Sequence, residues 1–553
     1  MTLTTDAFLS GSNLRPAFQL LCLALVSAFT LRQLRAYIHA KHISTPLSGP
    51  PSASLLFGVQ PAIFTWDPAA VYERWVNQYG PIFRFPRGIL ASDKLVITDL
   101  KAVTSFLARD TWTYIQPQLQ KDVLEAIIGG GVLVAEGEDH RRLRRVLTPG
   151  FSNAALRRFT TSFVDSAHKV KNLWEAQYLS ESGQGIIEIQ GWMNHAALDS
   201  IGIAGFSYDV WLSYYLYILH NDSPFFLTVR KDRGFMTKLI IMIGAFAPSI
   251  SRLLPSQRNT EFKRIRLGGR DIAHKLLDRA RKEKEAGTAH GENSLIGLLV
   301  KAEMAEGDSI RMTPEDVLAH NTLIVAGFES SSSTLTWILV YLSKNPHVQD
   351  RLREEINTKL GSGDPTWDTI TYDMPYLAAV VQETLRLHPS VGEVNRIAQE
   401  DDVLPLSTPF IDAKGREVSE ISVAKGTTVT VPITYINKST ELWGETAKDF
   451  RPERWLNDGA EIDGLKAKDI SGWRHILTFS DGPRICIGRN FALAEIKAVL
   501  VVLIRHFVFE LPDGPKTQIT YHQGLVKRAK IIRATSDDEE GANVELKVTR
   551  IEF

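Results

Sequence analysis

Cysteine is nearly missing: 553 residues contain only two, Cys22 and Cys486. Because Cys22 lies in an apolar segment with no partner for an intramolecular bridge, a disulfide framework is excluded. Cys486 is then either an inert core thiol or a thiol kept for its chemistry. Surplus charge is missing too, with 63 Lys and Arg against 63 Asp and Glu. That balance gives no overall pull toward nucleic acid or an anionic membrane. There is no internal repeat and no long low-complexity tract, which excludes solenoids and extended disorder. No Gly-rich dinucleotide fingerprint sits between a strand and a helix, and Gly129-Gly130-Gly131 is not followed by Lys-Ser or Lys-Thr. What is present is apolar bulk: 44% hydrophobic residues, including 25 Phe and 11 Trp, enough to bury an ordered core.

One apolar run, Ala17 to Leu31, lies near the start, with Arg15 before it and Arg32, Arg35 and Lys41 after it. A spanning helix takes about 20 residues, but flanking arginines snorkel and bilayers thin around short helices. Residues 1–38 are expected to form a single-pass membrane anchor. A cleaved signal peptide is disfavoured, since the charges follow the apolar run and no small-x-small cleavage site comes after it. The positive charge after the run puts the body in the cytosol, on the endoplasmic reticulum membrane. Asn221-Asp222-Ser223 and Asn437-Lys438-Ser439 match the glycosylation pattern, and a cytosolic body leaves both unmodified. Residues 39–52, with Thr45-Pro46-Leu47-Ser48-Gly49-Pro50-Pro51, read as a stiff proline-rich hinge. Residues 53–553 read as one folded body.

Within that body Ile82–Phe85 and Lys94–Thr98 read as a strand pair joined through Arg87 and Gly88. From about Lys101 to Leu342 the pattern is mainly helical, interrupted by the polar stretch Arg281 to Asn293, an exposed linker. The best-defined helix has Thr313 as cap, Pro314 at its first position and Glu315 and Asp316 in its first turn. Lys344-Asn345-Pro346 ends it. The fold class expected is mainly α with a small sheet subdomain.

Phe479-Ser480-Asp481-Gly482-Pro483-Arg484-Ile485-Cys486-Ile487-Gly488 is a glycine-punctuated loop feeding an apolar helix from about Arg489 to Ile504. Cys486 stands at the helix entrance, where loop N–H groups and the positive helix end favour a thiolate. With no second Cys or nearby Cys/His pair to complete a zinc tetrahedron, one thiolate suits one axial position of an iron porphyrin. The segment resembles the haem-binding loop of the cytochrome P450 family, Phe-x-x-Gly-x-Arg-x-Cys-x-Gly, at every fixed position. The resemblance implies the family's helix-rich haem domain, haem b as cofactor, Cys486 as axial ligand, Phe479 beside the sulfur and Arg484 on a haem propionate, with Gly482 permitting close backbone approach.

Four further segments resemble family elements. Glu383-Thr384-Leu385-Arg386, on a helix from Tyr376 to Leu387, matches Glu-x-x-Arg, and Phe450-Arg451-Pro452-Glu453-Arg454-Trp455 matches the segment whose arginine completes a buried charge network. Ala326-Gly327-Phe328-Glu329-Ser330 resembles the oxygen-activation motif, in which an acid and an alcohol relay protons so that the O–O bond breaks. Gly327 lets the backbone open for oxygen; Glu329 and Ser330 are the catalytic pair, with serine where threonine is usual. From the residues alone the same glycine could be a helix-packing notch. His140 and Arg144, in Glu138 to Arg145, match a Trp-x-x-x-Arg element with histidine in place of tryptophan, and Arg396 matches a third propionate arginine. The stretch Phe206 to Leu254 is aromatic and falls where the family carries substrate-lid helices.

By this resemblance the chain is a haem-thiolate monooxygenase of microsomal, fungal type. It inserts one oxygen atom from dioxygen into an apolar small molecule, with secondary metabolism, terpenoids among it, as the expected setting. Electrons come from NADPH-cytochrome P450 reductase, with cytochrome b5 as a second donor. Two rivals differ in class. A haem-thiolate isomerase or dehydratase works without dioxygen and dispenses with the pair that Glu329 and Ser330 keep. A non-catalytic haem sensor needs neither that pair nor an apolar channel.

Overall fold

A computed structural model of the chain describes residues 38–54, 67–86, 93–206, 322–456, 464–523, 526–532 and 544–552, with a few isolated positions between them. Nearly all of the apolar run, the helix start at Thr313, most of the 281–293 linker and nearly all of the aromatic stretch lie outside the described residues. Among the described residues no helix is long and apolar enough to cross a membrane.

The principal helices are α1 (Pro68–Tyr79), α2 (Leu100–Ala108), α3 (Gln118–Ile128), α4 (Gly137–Leu147), α5 (Asn153–Leu173), α6 (Ile189–Phe206), α7 (Thr322–Lys344), α8 (Pro346–Leu360), α9 (Pro375–Leu387) and α10 (Arg489–His506). Their ends follow local chemistry. Asp67, Asp99 and Ser152 accept from backbone N–H groups of the first turns of α1, α2 and α5, satisfying donors that no helix can satisfy itself. Pro346 and Pro375 open α8 and α9. α7 stops at Lys344, where the Asn345 N–H turns back to Tyr341 and Leu342.

Among the described residues there are twelve strands. A five-stranded sheet runs β1 (Ile82–Phe85), β2 (Lys94–Ile97), β8 (Thr428–Val431), β5 (Val394–Ala398) and β3 (Tyr114–Ile115). Only its β2–β8 pairing is parallel, and the expected β1–β2 pair is in register Ile82 to Ile97. β4 (Gln184–Glu188), β12 (Glu545–Arg550) and β9 (Phe507–Glu510) form a second sheet. Two hairpins, β6 (Asp402–Ile411) with β7 (Glu417–Val423) and β10 (Gln518–Gln523) with β11 (Lys527–Ile532), complete the set.

α7 and α10 are the centre. Every residue from Ser331 to Val340 is buried, as is every residue from Ala498 to Ile504. Aromatic rings lock α5 onto α10, with Phe163 edge-on to Phe491 at 4.9 Å between centroids. Such all-round burial is what a helix apolar on most faces requires.

The proline-rich segment is docked along the body. Thr45 pairs with Ser422 in both directions, the Pro46 carbonyl accepts from Ala413, and Ser48 accepts from the Arg84 N–H at 3.1 Å. A side chain at Gly49 would meet the Arg84 carbonyl oxygen at 1.7 Å, so only glycine lets the segment lie this close. Asn437 is fully buried, with its side chain bonded to Thr478 and Leu477, which closes it to glycosylation in the folded protein.

Candidate functional site

The Cys486 loop is built by backbone bonds. The Cys486 N–H donates to the Phe479 carbonyl at 2.9 Å, and Ile485 N–H to the Gly482 carbonyl at 3.1 Å. Gly482 has φ +67°, and a Cβ there would meet the Leu107 carbonyl oxygen at 2.2 Å. α2 therefore presses on the loop from behind. Phe479 is buried edge-on against Trp473 at 5.4 Å. The Cys486 side chain is accessible, yet protein encases it closely enough for burial to push the thiol pKa up against the Gly488 N–H and the Arg144 and Arg489 charges.

Three guanidiniums gather on this side. Arg144 donates to the Ile485 carbonyl at 2.5 Å, tying α4 to the loop. Arg396, on β5, makes a two-pronged ion pair with buried Asp110 at 2.7 and 2.9 Å. Arg484 pairs with Glu136 and reaches Asp110 at 3.3 Å. His140 is buried, and burial with the neighbouring Arg484 and Arg144 charges pulls it down to about 4, so it is neutral at pH 7. Asp110 and Glu136 were missed by sequence reasoning. They lie in connecting segments, and only the fold brings them to arginines hundreds of positions away. Three cations against two acids leave positive charge for further carboxylates.

On α7 the polar segment splits by face. Ala326, Gly327 and Ser330 are accessible, whereas Phe328 and Glu329 are buried. The Ser330 hydroxyl donates to the Ala326 carbonyl at 2.8 Å. Glu329 accepts from Arg528 of β11 at 2.9 Å, a partner with no sequence signal. Burial raises the Glu329 carboxyl, and the Arg528 charge only partly offsets it. A Cβ on Gly327 would meet Ile201 Cδ1 of α6 at 2.3 Å, so the glycine is a packing notch in this structure.

Glu383 is fully buried and accepts from Arg386 at 2.8 and 2.9 Å, Arg454 at 3.0 Å, Trp455 at 2.9 Å and the Arg451 N–H at 3.0 Å. Thr478, one residue before Phe479, donates to the Leu385 carbonyl at 2.7 Å. The network is thus linked to the cysteine loop.

These donors fit an iron porphyrin: one accessible thiol at a helix entrance, flanked by unspent positive charge. Among the described residues no group of three or more His, Cys, Asp or Glu is gathered to hold a bare metal ion. The cytochrome P450 family model matches residues 48–535. The chain belongs to the cytochrome P450 family. Cytochrome P450 monooxygenase claO of Ampulloclitocybe clavipes is 44% identical over 537 residues, covering 96% of this chain and 97% of its own. Its relative claP is 43% identical over 535 residues with the same coverage. Cytochrome P450 monooxygenase 205 of Postia placenta is 34% identical, covering 89% of this chain and 91% of its own. As a cytochrome P450 the chain is a haem-thiolate monooxygenase, an oxidoreductase that uses dioxygen and takes electrons from a redox partner.

Proposed function

We propose that this cytochrome P450 inserts one oxygen atom from dioxygen into an apolar small molecule of secondary metabolism, with terpenoids the first class to test. The observation that carries it is the accessible Cys486 thiol at the entrance of α10, together with accessible Ala326 and Ser330 on a helix whose residues from Ser331 to Val340 are all buried. Haem, when bound through Cys486, supplies the activation of dioxygen. Arg144, Arg396, Arg484 and neutral His140 hold the propionates, and Phe479 and Gly482 shape the loop around the thiolate. Glu329 and Ser330 deliver protons. NADPH-cytochrome P450 reductase is the electron donor, cytochrome b5 a second one. Residues 1–38 anchor the chain in the endoplasmic reticulum membrane with the body in the cytosol, a reading supported by the apolar run and the charges after it.

The carbon monoxide spectrum of the reduced protein tests the ligand. Wild type should show the long-wavelength band of thiolate-ligated haem, and Cys486→Ser should lose it. An unchanged spectrum in the variant would overturn the assignment. Product analysis after co-expression with a reductase and candidate pathway intermediates then identifies the substrate.

A further inference from the structure

The strand β11 opens Lys527-Arg528-Ala529-Lys530, and all three of these cations are buried. Successive side chains of a strand point to opposite sides. Arg528 turns to α7, where Glu329 accepts from it. Lys527 turns the other way, toward Gly392, where a Cβ would lie 3.5 Å from Lys527 Cε and 3.8 Å from Nζ. Its ammonium also sits over the Tyr521 ring, 5.0 Å from the centroid. Lys438, just after the short helix Ile433–Ile436, brings a second ammonium within electrostatic reach of the first.

A charge taken out of water needs a counter-charge or a hydrogen-bond acceptor. Among the described residues neither the Lys438 nor the Lys527 side chain has a hydrogen bond or an ion pair. The acids around them are engaged. Asp67 caps α1, accepting from the Ala69 N–H at 3.2 Å, and Glu393 accepts from Tyr72 at 2.7 Å, Asn395 at 2.9 Å and Lys94 at 3.4 Å. The nearby cations Lys448 and Arg386 have Glu73 and Glu383. Lys94, Lys438 and Lys527 therefore face only Asp67 and Glu393, which leaves a positive charge in surplus. Burial, helped by the Lys527 charge and opposed by Asp67, pulls the Lys438 ammonium down to about 8. Burial also lowers that of Lys527, against Asp67 and Glu393. An anion between the two would reverse both effects.

The surroundings say what carries that anion. Val391, beside Gly392, is half exposed, and Tyr521 is half-buried, so apolar surface adjoins the ammoniums. The Ser333 hydroxyl donates to the Lys527 carbonyl at 2.7 Å, which seats β11 on α7 less than one turn beyond Ser330. A free inorganic anion would use the charges alone, whereas an apolar acid uses the charges and the apolar surface together. We propose that Lys527 and Lys438 bind the carboxylate of the substrate, which makes that substrate an apolar carboxylic acid. This assignment rests on the reading of the chain as an oxygenase of apolar molecules and narrows its substrate class.

The test titrates the full-length haem-loaded enzyme with dodecanoate and with methyl dodecanoate, following the substrate-induced spectral shift. Wild type should bind dodecanoate about 10- to 100-fold more tightly than the ester, the range that a hydrogen bond to a charged group supplies. Lys527→Met should abolish the preference, leave the affinity for the ester unchanged and keep the carbon monoxide band. Lys438→Met should reduce the preference, and it stands as the independent variant where Lys527→Met fails to load haem. A lysine that only packs against Tyr521 and Gly392 would move both ligands alike. Equal affinities in wild type, no shift with either ligand, or a preference that persists in both variants would overturn the assignment. So would equal affinities accompanied by stabilisation in sodium acetate that Lys527→Met loses, since the site would then hold a free anion. Failure of the underlying reading shows elsewhere, as an unchanged carbon monoxide spectrum in Cys486→Ser.

Discussion

Ser330 is a small residue with a demanding assignment. Its hydroxyl spends its proton on the Ala326 carbonyl at 2.8 Å, which leaves the oxygen lone pairs free to accept and pass a proton. Threonine makes the same bond with a restricted rotamer, and serine has no methyl to hold it. Ser330→Ala should therefore retain the thiolate spectrum and the substrate-induced spectral shift. Loss of a positioned proton donor costs about 10²–10⁴-fold in the step it serves, so product per NADPH should drop and peroxide should rise. Ser330→Thr should match or exceed wild-type coupling. Product, NADPH and peroxide measured together decide it, and unchanged coupling in Ser330→Ala would remove the serine from the mechanism. Glu329 carries a different constraint, because Arg528 holds it. No local pattern announced that partner, which comes from a strand at the far end of the chain.

Helix crossings explain what spacing in the sequence leaves open. The sequence locates the segment Ala326 to Ser330 and the end of α7, since capping and proline signals are local. It cannot say which neighbour Gly327 faces, and the neighbour is Ile201 of α6. Asp110, Glu136 and Arg528 were unreadable for the same reason: their roles come from pairings between distant segments. The Cys486 loop was readable because its determinants, Phe479 to Gly488, are contiguous. The crossing makes a quantitative expectation. Alanine at Gly327 gains about 1 kcal/mol of helix propensity, but its Cβ overlaps Ile201 Cδ1 at 2.3 Å, and overpacking costs about 1–3 kcal/mol. Gly327→Ala should destabilise on balance. Ile201→Val deletes that one methyl, while Ile201 Cγ1 would stand at an ordinary 3.7 Å. The double variant should regain most of the loss in a denaturant titration. Simple addition of the two single effects would show that the contact is not what Gly327 relieves.

At the scale of the whole molecule, the docked segment and the buried charges define how far the body extends. His39 reaches Asp401 at 2.9 Å, and Ser44 and Thr45 bond to the β7 end, so deleting residues 1–38 stops just short of contacts the body uses. The truncated protein should leave the membrane fraction yet keep its haem. Full retention on membranes would place the attachment elsewhere in the chain. Deep inside, Glu383 joins α9 to the Arg451–Trp455 segment and, through Leu385 and Thr478, to the cysteine loop. Burial alone would raise its carboxyl; the Arg386 and Arg454 guanidiniums and the Arg451 N–H outweigh burial and hold it below the ordinary value. A carboxyl lowered by folding adds stability that is present above its unfolded pKa and lost as pH falls through the folded one. Glu383→Gln leaves two guanidiniums buried without their counter-charge, at a cost of about 3–5 kcal/mol. At neutral pH the variant should unfold at much lower denaturant and release haem early. As the solution is acidified below the ordinary carboxylate range, wild type loses the same interaction and the two midpoints should converge. A gap that stays constant from neutral to acid pH would mean that the charge of Glu383 contributes nothing and that its shape alone holds the segment in place.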